Sequence, residues 1–149
     1  MNRINNAVNK FNQGYACSQA ILSEYCGLFD LELETALKLS AGFAGGMRYG
    51  RTCCAVTGAF MVLGLKFGAR NCENSDGRKN VYDAVCEFTK RFEVIHVSTN
   101  CETPIGCNIC TADGMKKAKD ENLFSTICPK YIKSSAQILE SMLNNADKK

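Results

Sequence analysis

Histidine is the scarcest chemically useful residue here: the 149-residue chain has one, His96. A zinc hydrolase site built from several imidazoles is therefore excluded. A cysteine–histidine nucleophile pair would have to use His96 itself, which reads more simply as a charge partner at a helix C-terminus. No Cys-x-x-Cys-His run occurs, so covalent haem attachment is not indicated. Net charge is small as well. Eighteen Lys and Arg against fifteen Asp and Glu leave +3, too little to argue for nucleic acid. The basic residues are scattered, apart from Arg48 with Arg51 and the run Lys116-Lys117-Ala118-Lys119, which reads as a solvated helix face. No apolar stretch reaches membrane-spanning length; the longest, residues 53–65, contains Gly58 and Gly64. The opening Met1-Asn2-Arg3-Ile4-Asn5-Asn6 lacks the charged-then-apolar pattern of an export signal. No membrane insertion is expected, and a cytoplasmic protein is. Gly45-x-x-x-x-Gly50-Arg51-Thr52 falls short of a phosphate-binding loop. Arg51 stands where lysine is needed, and no strand precedes it.

Cysteine, by contrast, is abundant, with ten residues. In a reducing compartment that density points to metal binding or thiol chemistry rather than to structural disulfides. The chain is also long enough to bury a core without such staples.

Strand-like alternation is missing; residues 93–97 are the one candidate, and they continue a helical pattern. Helical spacing recurs instead. Ile4, Ala7, Val8 and Phe11 predict a helix over 2–12, interrupted by Gly14. Cys17, Ala20, Ile21 and Tyr25 share one face over 16–26, ended by Gly27. Acidic residues after Asp30 suit a third helix to about residue 40. Residues 53–67 are apolar almost all round, as a central buried helix should be. Val81, Ala84, Val85, Phe88, Phe92 and Ile95 form a stripe over 78–95, with Cys86 beside it. Residues 69–77 read as a polar loop holding Cys72, and 101–113 as an irregular segment in which Pro104 and Gly106 argue against helix. Ser125 can cap a last helix whose face is Cys128, Tyr131, Ile132, Ser135, Ile138, Leu139 and Met142, with Pro129 near its first turn. The expected fold is all-α: a single-domain bundle over 1–149, with five or six helices around the helix at 53–67.

The chain is organised around its glycine-rich stretch, residues 40–59, which delivers Cys53 and Cys54 to the start of the central helix. Thr52 is the candidate N-cap. Unpaired N–H groups and the helix dipole at such a position stabilise a thiolate, which is both nucleophile and metal ligand. Cys17 and Cys128 also fall at predicted helix starts. If helix starts gather at one pole of the bundle, these thiols converge beside the loop carrying Cys101, Cys107 and Cys110. Cys101-x5-Cys107-x2-Cys110 is near a plant-type ferredoxin spacing with one residue too many. Cys107-x-x-Cys110 alone could be a zinc half-site or a redox pair.

Tyr15-Ala16-Cys17-Ser18-Gln19-Ala20, the loop 41–50, Cys53-Cys54-Ala55-Val56-Thr57-Gly58-Ala59 with Met61-Val62-Leu63-Gly64-Leu65, then Cys101 and Cys128, together resemble the C_GCAxxG_C_C family. That resemblance implies a redox-active protein with four signature cysteines, on Cys17, the Cys53–Cys54 pair, Cys101 and Cys128. Both positions of the central block are cysteine here; Cys53 is the preferred family thiol and Cys54 stays open. The resulting expectation is a small redox-active protein using Cys17, Cys53, Cys101 and Cys128 for thiol–disulfide or electron transfer with a redox partner protein. The alternative is a binding module in which four thiolates, drawn from Cys17, Cys53, Cys54, Cys101, Cys107, Cys110 and Cys128, hold an iron–sulfur cluster or zinc.

Overall fold

The computed structural model describes residues 2–70 and 75–147, with only the backbone of Ser75 and Asp76. Cys72 lies outside the described residues. Eight α-helices and no strand occur among the described residues: α1 (Arg3–Asn12), α2 (Cys17–Tyr25), α3 (Leu33–Ala41), α4 (Cys54–Phe67), α5 (Ser75–His96), α6 (Glu102–Ile105), α7 (Ala112–Asp120) and α8 (Leu123–Ala146). The all-α bundle is as expected, with α4 as its centre. The two helices beyond the expected number, α6 and α7, are short and lie in the stretch between α5 and α8.

Helix α4 packs against α2, α5 and α8. Its residues Cys54 to Ala59, with Val62 and Leu63, are buried, which is why no polar face is visible in its sequence. Gly58 allows the closest approach. A Cβ placed there would lie 3.0 Å from the Cα of Ser18 and 3.1 Å from the Cβ of Ile21. The backbones of α4 and α2 are thus nearly in contact, and the first residues of both helices are drawn together. On the other side, Phe60 meets Phe88 edge-on at 5.9 Å, Phe88 stacks on Phe92 at 6.0 Å, and Phe92 reaches Tyr131 of α8 at 5.7 Å.

Several local expectations differ from the structure for identifiable reasons. Cys53, not Thr52, occupies the N-cap of α4, because Thr52 pairs its backbone with Asn100. The acidic residues do serve the start of α3, but as its cap: the Glu32 carboxylate accepts from the N–H groups of Glu34 and Thr35, while Asp30 turns the chain in a left-handed conformation. Helix α6 tolerates Pro104 because the N–H groups of a first turn need no helical partner. Gly106, at φ 72°, ends it. The cap of α8 is a left-handed Asn122, three residues before Ser125, so Pro129 lies inside the helix. Ile95 is 54 % exposed. One residue further on, in register with Phe88 and Phe92, His96 takes the inward position. It stacks on Tyr131 at 3.9 Å, and burial lowers its pKa. His96 is therefore a ring packed on aromatics rather than a charge partner, and it makes no ion pair among the described residues.

Candidate thiol site

The segment between α3 and α4 is backbone-driven. Gly45, Gly46, Met47 and Arg48 are consecutive left-handed residues, with φ of 63°, 61°, 60° and 61°. Left-handed residues normally occur singly, and each that is not glycine costs about 1–2 kcal/mol. The turn is held from several sides. The Met47 N–H donates to the Phe43 carbonyl (3.1 Å), the Arg51 N–H to the Gly46 carbonyl (3.2 Å), and the Cys110 thiol to the Arg48 carbonyl (3.1 Å). Beyond it, residues 51–53 run antiparallel to 99–101. The Cys53 N–H donates to the Thr99 carbonyl (2.7 Å) and the Cys101 N–H to the Arg51 carbonyl (2.6 Å). A Cβ on Gly46 would lie 2.9 Å from the Cβ of Cys101. A glycine at that point is what lets Cys101 come in beside Cys53.

Cys17, Cys53, Cys54, Cys101 and Cys128 all line one cavity of about 260 Å³. Each of the five is at most 9 % exposed. Apolar side chains of Phe11, Ile109, Met115 and Phe124 contribute the walls, and the exposed Arg48 and Lys119 complete the lining. Cys17 and Cys54 are the first residues of α2 and α4, so two helix N-termini face the same space. Cys128 is buried there too, but more than a turn inside α8.

The thiols differ sharply in acidity. Cys54 is held down to about 7 from an ordinary 9.0. The main cause is a hydrogen bond from the Cys17 thiol. Burial opposes the shift, and the backbone N–H groups of Gly45, Ser18 and Cys17 add to it. Cys17 is pushed up by hydrogen bonding with Cys128 and Cys54 and by burial. Burial raises Cys53, with the neighbouring Cys54 charge adding to it. Burial likewise takes Cys101 up to about 12. The cluster thus holds one acidified thiol, Cys54, beside three whose pKa is raised, Cys17, Cys53 and Cys101.

Cys107 and Cys110 do not line the cavity. Their sulfurs are engaged with main chain, Cys107 donating to the Gly114 carbonyl (3.3 Å) and Cys110 to that of Arg48. Cys26 is buried, donating to the Ser23 carbonyl, and Cys86 is exposed on α5. No disulfide occurs among the described residues, where all nine cysteines are free. Nor, among the described residues, are three Cys, His, Asp or Glu side chains placed together to hold a metal ion. What the sequence did not signal is the backbone part of the site. The N–H groups of Gly45 and Ser18 are invisible to residue identity, Lys119 reads as part of a solvated helix face, and nothing in the spacing ties Arg48 to the cysteines.

An all-helical fold with a thiol cluster lining a small cavity, one member acidified at two helix N-termini, defines a class of cysteine-based helical protein. The family model described as Putative redox-active protein (C_GCAxxG_C_C) matches residues 15–142, and the chain belongs to that family. Within its Cys-Ala-x-x-Gly pattern, Cys54-Ala55-Val56-Thr57-Gly58 is in register, leaving Cys53 at the glycine position. No curated protein and no solved structure matches the chain.

Proposed function

We propose that the protein carries out thiol–disulfide exchange, with Cys54 as the attacking thiolate and Cys17 as the resolving thiol. The observation that carries this reading is that Cys17 and Cys54, the first residues of α2 and α4, are buried against the same cavity, with the Cys17 thiol the chief cause that holds the Cys54 thiol low. The Cys54 thiolate attacks one sulfur of a substrate disulfide and releases the other as a thiol, leaving a mixed disulfide. Cys17 loses its proton and attacks the Cys54 sulfur, releasing the second substrate thiol and closing a Cys17–Cys54 bond. One disulfide is reduced, one dithiol is oxidised, and the reverse sequence restores the protein. Cys128, which also hydrogen-bonds Cys17, is a second electron-pair donor within the cluster, and Cys101 and Cys53 stay protonated around it.

The four-thiolate alternative uses the same cavity and suits zinc or an iron–sulfur cluster by donor chemistry. It requires a rearrangement, since among the described residues no three such side chains are grouped to hold a metal ion.

Protein purified and reduced without oxygen should lose a pair of thiols on mild oxidation and regain them with a dithiol reductant. Peptide mapping should then find Cys17 joined to Cys54. Cys17→Ser and Cys54→Ser should abolish the reversible pair, and Cys86→Ser should leave it. Iron or zinc in stoichiometric amount, lost in the cysteine variants, would replace the dithiol reading with the metal one.

A further inference from the structure

Resting on the dithiol reading, the geometry points to a low-molecular-weight anionic disulfide as the substrate, selected by Arg48 and Lys119 on the cavity lining. The acidified sulfur belongs to a residue only 4 % exposed, beside a cavity of about 260 Å³ with apolar walls. A small extended molecule can enter such a space more readily than a disulfide held on a folded surface. The cavity's charge is of one sign. Among the described residues, Arg48 and Lys119 are the only ionisable side chains on its lining apart from the cysteines, and no carboxylate lines it. Neither cation has an ion-pair partner among the described residues. The nearby Glu102 raises the Cys101 thiol and approaches Gly50, but it is not part of the lining. Two helix N-termini add positive field in the same direction.

The placement of Arg48 is enforced. Its backbone is left-handed, at φ 61°. Its side chain folds back over Gly45, with Cδ and Nη1 3.6 and 3.7 Å from where a Gly45 Cβ would be. That is the same Gly45 whose N–H faces the Cys54 sulfur. Yet Cys54 is acidified chiefly by Cys17 and by backbone N–H groups. The guanidinium is thus packed over Gly45 on the lining of the cavity that holds Cys54, with its hydrogen-bonding fork available to a carboxylate. Strained backbone of this kind clusters at active sites and ligand clamps.

The exchange keeps the balance given above: R–S–S–R and the Cys17/Cys54 dithiol become two R–SH and the protein disulfide, with R bearing a carboxylate.

The test compares three disulfides of similar size: 3,3′-dithiodipropionate (anionic), 2-hydroxyethyl disulfide (neutral) and cystamine (cationic). Each is added to the fully reduced protein at pH 7 and low salt, with Cys54 oxidation followed by mass spectrometry. Rates should rank anionic, neutral, cationic, with at least about a tenfold gap between the first two. Arg48→Gly suits the left-handed backbone and so should fold; it and Lys119→Gln should each shrink the anionic-to-neutral ratio, and together bring it near one. A wild-type ratio near one, or a ratio unmoved by both substitutions, overturns the substrate assignment and leaves the dithiol reading standing. Failure of Cys54 to react with any of the three overturns the dithiol reading itself, and the assignment with it.

Discussion

The functional distinction within this molecule is made one residue at a time. Cys53 and Cys54 are adjacent and both buried, yet burial dominates the first and hydrogen bonding the second. The difference follows from position. Cys54 is the first residue of α4 and points its sulfur at Cys17 and at N–H groups from two other segments, whereas Cys53 is spent on the cap. Alkylation of Cys54 by iodoacetamide should therefore rise through an apparent pKa of about 7, and Cys17→Ser should move it upward by removing the main cause. The same group links stability to pH. A thiol that ionises at about 7 when folded and at 9.0 otherwise binds more protons in the unfolded chain between those values. Its contribution to stability thus grows from pH 7 to 9, is complete above 9, and fades as pH falls through 7. Cys17, Cys53 and Cys101 act in the opposite sense above pH 9, since the folded state keeps their protons. Reduced protein should accordingly have its highest denaturation midpoint near pH 9. In Cys54→Ser the rise between 7 and 9 should vanish. A flat profile in the parent protein would contradict the assignment.

At the scale of the element, the approach of α4 to α2 decides whether Cys17 and Cys54 meet. Gly58 sits under that crossing, with Ser18 backbone where a methyl group would go. Gly58→Ala should gain about 1 kcal/mol of helix propensity but lose about 1–3 kcal/mol to overpacking against atoms that cannot rotate away. We expect a lower urea midpoint. The apparent pKa of Cys54 should also rise, because α2 must shift and carries Cys17 and the Ser18 N–H with it. The helix itself was legible in the sequence: an uncharged run after a glycine-rich loop reads as a buried central helix, and α4 is one. Its cap was not, because Thr52 has the right side chain but its backbone is claimed by Asn100, a residue brought alongside only by the turn after α5. For the same reason α6 went unread. Pro104 argues against a helix interior, and only the actual start of that helix shows that it lies in the first turn.

Across the whole molecule, the cluster joins segments from both ends of the chain, from α2 through the α4 start to Cys101 and α8. A Cys17–Cys54 bond would close the long loop that contains α3 and the left-handed turn. By chain entropy alone a cross-link of that span stabilises by up to about 4 kcal/mol. The oxidised protein should therefore denature at higher urea concentration than the reduced one, and Cys54→Ser should show no redox dependence. Equal midpoints in the two states would count against a bond between these residues. Among the described residues no helix is long and apolar enough to cross a membrane.

Periodicity and composition by themselves determined the helical class, the buried middle helix and the list of cysteines worth watching, because those depend on which residues are apolar and how they are spaced. Cys107 and Cys110 show what spacing leaves out: it resembles a ligand motif, while in the fold their sulfurs donate to the carbonyls of Gly114 in α7 and Arg48 in the left-handed turn. Which thiol is acidic, and what charge surrounds it, was decided only by tertiary structure. Those properties come first from the Cys17 thiol, which the packing of α2 on α4 brings to Cys54, then from the N–H groups of Gly45 and Ser18, and from the left-handed turn that places Arg48. A main-chain amide is the same in every non-proline residue, so its direction is a property of the fold and not of the letters.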